Sequence, residues 1–198
     1  MTATIRVATE DDAAGVAAIY GPYVRDTAIS FEVDPPPAAE MRQRIARTLQ
    51  QYPWLVCASG DDLVGYSYGS QFRVRAAYQW STEVTVYVAP QAHRHGVGRA
   101  LYTSLIRILA LQRYYRAYAG ITLPNPASIG LHELLGFTRV ALYHAVGFKL
   151  GAWHDVGSWE LSLQPASLPS APPLSFDSVR SSPECEAALA AGMALVRM

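Results

Sequence analysis

The stretch Glu83-Val84-Thr85-Val86-Tyr87-Val88-Ala89-Pro90-Gln91-Ala92-His93-Arg94-His95-Gly96-Val97-Gly98-Arg99-Ala100-Leu101-Tyr102 runs from β-branched residues, through a basic turn with two glycines, into an amphipathic pattern. The first part predicts a strand. The pattern opening at Gly98, with Leu101, Leu105, Ile108 and Leu109 on one side, predicts a helix. Together they outline an anion site, because a helix N-terminus leaves peptide N–H groups without partners and glycine lets a ligand approach the main chain with no Cβ in the way. A diphosphate suits such a turn. Its spacing matches neither the dinucleotide fingerprint nor the GxxxxGK[ST] phosphate loop, so on the turn alone an ordinary strand-to-helix connection stands beside the anion site.

Outward from this segment the chain alternates strands and helices. Ile5 to Ala8 predicts a strand, and Thr9-Glu10-Asp11-Asp12 a capping box before a helix with Ala13, Val16, Ala17 and Tyr20 inward, ended by Gly21-Pro22. Asp34 and Pro35-Pro36-Pro37 start a second helix, with Met41, Ile45 and Leu49 buried and Arg42, Arg44 and Arg47 in water. Trp54 to Ser59 and Leu63 to Gln71 form a hairpin across Gly60-Asp61-Asp62, and Trp80 to Val88 is the next strand. The helix after Gly98 leads to a strand at Ala117 to Leu123, and strand, crossover helix and strand imply a parallel pair. Pro124-Asn125-Pro126-Ala127-Ser128 opens a helix to about Leu135, closed by Gly136, before strands at Thr138 to Val146 and Trp153 to Leu163. After Gln164 the chain turns to Pro165, Pro169, Pro172, Pro173 and serines, a linker composition, and Ser182-Pro183-Glu184 can cap a last helix bearing Leu189, Met193 and Val196. The division is a domain over 1–164 and a tail over 165–198. That tail is either an extension without fixed structure or a helix docked on the domain or on a partner chain.

Composition narrows the class. With 198 residues, 16 Lys+Arg and 16 Asp+Glu, the chain carries no net charge and offers nucleic acid no general basic field. Any anion must be bound locally. Its two cysteines, Cys57 within an apolar run and Cys185 in the tail, fit a reducing compartment, and no Cys/His set has metal-ligand spacing. The amino terminus has no export pattern and no apolar run approaches the ~20 residues that span a bilayer, so a soluble cytoplasmic protein is expected.

The order of elements around the basic turn, with Pro124-Asn125-Pro126-Ala127-Ser128 running into Leu131-His132-Glu133-Leu134-Leu135-Gly136-Phe137, resembles the GNAT superfamily of acyl-CoA-dependent N-acetyltransferases. Phe72-Arg73-Val74-Arg75-Ala76-Ala77-Tyr78-Gln79-Trp80, Gly120-Ile121-Thr122-Leu123-Pro124-Asn125-Pro126 and Gly147-Phe148-Lys149-Leu150-Gly151-Ala152-Trp153-His154-Asp155-Val156-Gly157 further resemble its phosphinothricin acetyltransferase branch. The resemblance covers about Ile5 to Leu163 and departs from the superfamily at His93, where Gln or Arg is usual. It implies an α/β fold: a mixed, mostly antiparallel twisted sheet with helices on both faces, splayed at the parallel pair to admit acetyl-CoA. Homodimerisation is expected from the family alone.

The same resemblance implies the site. The backbone of Arg94, His95, Gly96, Val97, Gly98 and Arg99 would wrap the CoA diphosphate, and the main chain of Val86, Tyr87 and Val88 would pair with the pantetheine arm as an added strand. Asn125 would bond that arm from the other side, although Asn beside Pro is also an ordinary helix cap. Glu83 is a carboxylate in an otherwise apolar strand, on the side of Thr85 and Tyr87. Because an α-amine with a pKa of about 8 is mostly protonated in a neutral cell, transfer needs a base, and Glu83 is the candidate, directly or through water. His132 is a second candidate for proton transfer, with a packed or capping histidine as the alternative. Arg73 and Arg75 share one side if their segment is extended and would clamp the anionic groups of a small amino-acid-like acceptor, of the phosphinothricin, methionine sulfoximine or methionine sulfone type. Phe31, Tyr78 and Trp80 would wall its pocket. Acetylation of another amine or a protein N-terminus, a non-catalytic CoA sensor and a nucleotide-binding module remain the competing readings.

Overall fold

A single seven-stranded sheet runs in the order β1 (Ala3–Val7), β2 (Trp54–Ser59), β3 (Asp62–Gln71), β4 (Ser81–Val88), β5 (Arg116–Thr122), β7 (Ala152–Ser162) and β6 (Thr138–Lys149). The computed structural model describes residues 3–168 and 171–197, so Met1, Thr2 and the linker residue Pro169 lie outside the described residues. Every neighbouring pair is antiparallel except β4 and β5, which are parallel. The predicted mixed sheet with its parallel pair is the observed one.

Strand alternation sorts the core into two layers. On one face α3 (Val97–Leu111) buries Leu101, Leu105, Ile108 and Leu109 against Leu55, Cys57, Val64, Val84 and Ala119. On the other, α1 (Ala13–Asp26) and α2 (Ala38–Leu49) bury Val16, Ile19, Val24, Met41 and Ile45 against Trp54, Val56 and Tyr66. The short helix α4 (Pro126–Leu134) follows β5, and α5 (Phe176–Val179) and α6 (Pro183–Met193) end the chain. The Ser182 hydroxyl caps α6 by accepting from the Cys185 N–H at 3.1 Å. No helix of the described residues is long and apolar enough to cross a membrane.

Three local expectations are corrected. The first helix does not stop at Gly21-Pro22 but continues to Asp26 with Pro22 inside it. The hydrogen bond lost at Pro22 is offset by tertiary contacts: Val24 is buried, and the Tyr23 hydroxyl donates to the Val88 carbonyl at 2.7 Å. Arg44 is not simply solvated, since its guanidinium pairs with Glu32 at 2.7 Å and also with Glu40. The final hairpin extends to Lys149 and Ala152 because Leu150 and Gly151, at φ 51° and 77°, make a tight two-residue turn whose twist suits the paired strands.

The parallel pair is short. β4 and β5 are in register only at Ser81↔Arg116, Thr82↔Ala117 and Glu83↔Tyr118, after which they part. Everything C-terminal of Glu83 on β4 therefore has β3 on one side and a gap on the other.

Candidate active site

The gap exposes a strip of main chain. Ala89 N–H donates to the Val64 carbonyl at 2.9 Å, so along β4 the groups of Ala89, Tyr87 and Thr85 turn to β3, while those of Val84, Val86 and Val88 turn to the open side. The Val86 N–H and carbonyl and the Val88 N–H thus face the gap. Of the three residues expected to pair with the arm, Val86 and Val88 turn main-chain groups to the gap, whereas Tyr87 has its main chain on β3 and its ring against Tyr20, Tyr23 and Tyr66. The Val88 carbonyl is already engaged, accepting from Tyr23 and lying 3.1 Å from His93 Nε2. His93 therefore braces the end of β4 to the turn.

Beyond that brace the backbone coils. Arg94 and Gly96 adopt positive φ, 65° and 80°, and Gly96 is the residue before the first turn of α3. Left-handed residues interspersed with residues of ordinary φ can turn N–H groups into a concavity suited to an anion, and the N–H groups of Val97, Gly98 and Arg99 at the helix start have no intrahelical partner. Arg94, His95 and Arg99 are exposed around it. A cofactor phosphate fits these residues.

Where β4 and β5 separate, a cavity of about 100 Å³ is lined by Thr85, Val86, Tyr87, Gly120, Asn125 and His132, among others. Glu83 stands at its edge: an ideal Cβ on Gly120 would lie 3.8 Å from Glu83 Oε1. Burial, with no compensating partner among the described residues, raises the Glu83 pKa above the ordinary carboxylate value. A larger cavity of about 150 Å³ lies between α2 and the stacked rings of Trp54, Tyr66 and Tyr68. It has neither the open strand edge nor a carboxylate without a partner among the described residues, so the smaller one is the candidate.

The other sequence candidates divide. His132 is buried, with Nδ1 at 2.7 Å from the Ser128 carbonyl and Nε2 at 3.2 Å from the Tyr102 hydroxyl. Burial lowers its pKa, which keeps the ring neutral with both nitrogens engaged. Asn125 uses Oδ1 to accept from the Ser128 N–H at 3.1 Å, so it caps α4 while its side chain also borders the cavity. The segment of Arg73 and Arg75 bends rather than extends, and the condition for a shared side is not met. Arg73 lies over the rings of Phe72 and Tyr78 at 5.1 and 5.5 Å, and Phe72 stacks at 4.1 Å on Tyr118, the register partner of Glu83. Arg75 is exposed and makes no ion pair among the described residues.

Phe31 packs away from the cavity, its ring filling the space over Gly147 where a side chain would collide; Ile29 of the same loop takes the cavity wall. Trp80 is likewise not a wall residue, because its Nε1 donates to the Ala171 carbonyl at 3.1 Å. Lys149, which sequence left unassigned, is buried with Nζ donating at 2.6 Å to the carbonyls of Val24 and Ser30. Burial lowers its pKa, opposed by the nearby Glu32 carboxylate. It pins the loop that carries Ile29 and Phe31 to the last hairpin. Lys149→Met should leave two carbonyls without their donor and cost about 1–3 kcal/mol of stability. Steady-state kinetics should then show a higher KM for the acceptor with the acetyl-CoA KM unchanged.

An open strand edge, a coiled turn at a helix start and a half-buried carboxylate where two strands part suit acyl transfer from an extended, phosphate-bearing donor. Residues 5–157 match the acetyltransferase (GNAT) domain family, and the chain belongs to that family of acetyl-CoA-dependent N-acetyltransferases. Among its relatives is a phosphinothricin N-acetyltransferase of Streptomyces viridochromogenes, 37% identical over 168 residues that cover 85% of this chain and 90% of that protein. The L-methionine sulfoximine/L-methionine sulfone acetyltransferase of Salmonella typhimurium is 34% identical over 172 residues, covering 85% of this chain and 99% of that one. A GNAT superfamily phosphinothricin acetyltransferase from Sinorhizobium meliloti, solved in complex with acetyl-CoA, superposes with a TM-score of 0.81 at 33% identity, covering 88% of this chain and 94% of that chain.

Proposed function

We propose that the chain transfers the acetyl group of acetyl-CoA to the α-amine of a small amino-acid-like acceptor, of the phosphinothricin, methionine sulfoximine or methionine sulfone type, by direct transfer in a ternary complex. The observation that carries this reading is the half-buried, unpartnered Glu83 carboxylate where β4 and β5 part, beside an unpaired main-chain edge. Glu83 takes a proton from the acceptor ammonium, directly or through one water. The freed amine attacks the thioester carbonyl, the C–N bond forms as the C–S bond breaks, the nitrogen sheds a proton as it becomes an amide and the leaving thiolate takes one up to give CoA, while Glu83 returns its proton to solvent. The Val86 N–H, aimed into the gap, donates to the oxyanion that develops on the carbonyl, a contact worth about 3–4 kcal/mol when well placed. Arg94 to Arg99 hold the diphosphate, and Val86 and Val88 hold the arm. Asn125 borders the arm's path, and His132 keeps the wall in place by bonding Tyr102 and Ser128.

Arg73, steadied on Phe72 and Tyr78 next to Tyr118, is the cation for the acceptor's anionic groups, with Arg75 as its neighbour on the loop. The acetyltransferase unit is assigned to 1–164, with 165–198 in a supporting role. A homodimer is supported by the apolar exposure of β6, β7 and their turn, where Val146, Phe148, Leu150 and Trp153 are each more than half exposed. The balanced charge gives no handle for nucleic acid, and a cytoplasmic setting suits two free, buried thiols, Cys57 being pushed up to about 11 by burial.

The test is thiol release from acetyl-CoA with a panel of amino acids that includes phosphinothricin, methionine sulfoximine and methionine sulfone. Turnover is expected with those three and not with the amines lacking a carboxylate. Activity confined to carboxylate-free amines or to peptide N-termini would replace this acceptor class, and acetyl-CoA binding without turnover would make the chain a sensor.

A further inference from the structure

The family match ends at residue 157, yet the chain beyond it is built into the molecule. The Leu174 N–H donates to the Gln112 carbonyl at 2.9 Å, the Gln112 side-chain amide returns to the Leu174 carbonyl at 2.9 Å, and Phe176 and Cys185 are fully buried. α6 then lies along α3 so closely that Gly192 sits against Ser104 and the Ala100 carbonyl, where a Cβ would collide. This contact aims the end of the chain at the basic turn. The Leu195 carbonyl abuts Gly96, and the Arg197 N–H donates to the His95 carbonyl at 2.9 Å.

That last bond acts on the turn through a peptide plane. In a trans peptide the carbonyl and the following N–H point in opposite directions, so holding the His95 carbonyl toward the tail turns the Gly96 N–H to the opposite side of the turn. Gly96, at φ 80° and with no Cβ, also has the conformational freedom that would let this peptide rotate. We propose that the segment Leu195–Arg197 is a positioning element for acetyl-CoA: its main chain locks the His95–Gly96 peptide with the amide presented to the donor's diphosphate. The inference rests on the assignment of the Arg94–Arg99 turn to that diphosphate. The segment touches neither the acetyl group nor Glu83, so its effect belongs to donor binding and not to the chemical step.

Four variants of the full enzyme test it: removal of residues 195–198, Arg197→Pro, Arg197→Gln, and Val179→Ala as a tail control remote from the turn. Losing the bond should raise the acetyl-CoA KM about 5-fold in the shortened chain and in Arg197→Pro, with kcat and the acceptor KM held. Arg197→Gln, which retains the N–H, should restore the wild-type KM, and Val179→Ala should lower the melting temperature without moving it. A shortened chain with wild-type acetyl-CoA KM overturns the proposal. So does a loss that tracks melting temperature across all four, or one as large in Arg197→Gln as in Arg197→Pro. The double charge reversal Arg94→Glu/Arg99→Glu separates the two layers: if it too leaves the acetyl-CoA KM unchanged, the diphosphate assignment fails, whereas a raised KM there with unaffected tail variants sinks the positioning role alone.

Discussion

Glu83→Gln is expected to lower kcat by roughly 10²- to 10⁴-fold, the usual contribution of a positioned general base, while acetyl-CoA binding measured by calorimetry stays near wild type. The amide is nearly isosteric with the carboxylate and the group has no partner to lose, so folding is little affected. The pH profile is the sharper readout. A base works only when ionised, and burial has raised the Glu83 pKa, so the wild-type rate should fall as pH drops through a value above that of an ordinary carboxylate. Glu83→Gln should lose that acid limb. Its residual rate should instead climb with pH toward the acceptor amine's own pKa of about 8, where solvent alone supplies the free amine. Superimposable wild-type and Glu83→Gln rates across the pH range would remove Glu83 from the mechanism.

Gly120→Val should be comparably damaging to turnover and nearly silent in stability. An ideal Cβ at Gly120 meets nothing nearer than Glu83 Oε1 at 3.8 Å and Val156 Cγ1 at 3.9 Å, both ordinary contact distances, and a β-branched residue suits a strand. The added methyls must nevertheless enter the space beside the carboxylate where an amine and a thioester have to meet. Displacing reactants by about 1 Å costs on the order of 10²-fold, so kcat/KM for the acceptor should fall at least that far. Calorimetric melting at or above the wild-type temperature completes the expectation. An active Gly120→Val enzyme would mean that the reactants meet elsewhere, the cavity lined by Arg44, Trp54 and Tyr68 being the next place to look.

Much of the fold was readable in the sequence because its signals are local. The β-branched run to Val88, the paired glycines and the stripe Leu101, Leu105, Ile108 and Leu109 specify a strand, a turn and a helix without reference to the rest of the chain. Pro22 misled for the same reason: its local cost is real, but Val24 and Tyr23 make contacts distant in sequence that carry the helix past it. Ile29 gave no local signal, and Gly120 and Lys149 stood only within motifs that resemble the phosphinothricin branch, with no role attached to either. A lone lysine near a hairpin turn does not announce that two carbonyls from α1 and its following loop will close on its ammonium.

Residue order and chemistry thus fixed the parallel pair, the basic turn and the candidate carboxylate, since each depends on periodicity or on the properties of single residues. Which main-chain groups of β4 face the gap, that His132 spends both nitrogens on its neighbours and that Arg197 reaches His95 follow from register, burial and the crossing of α3 with α6. Those are relations between segments far apart along the chain, and they come into being when the core packs.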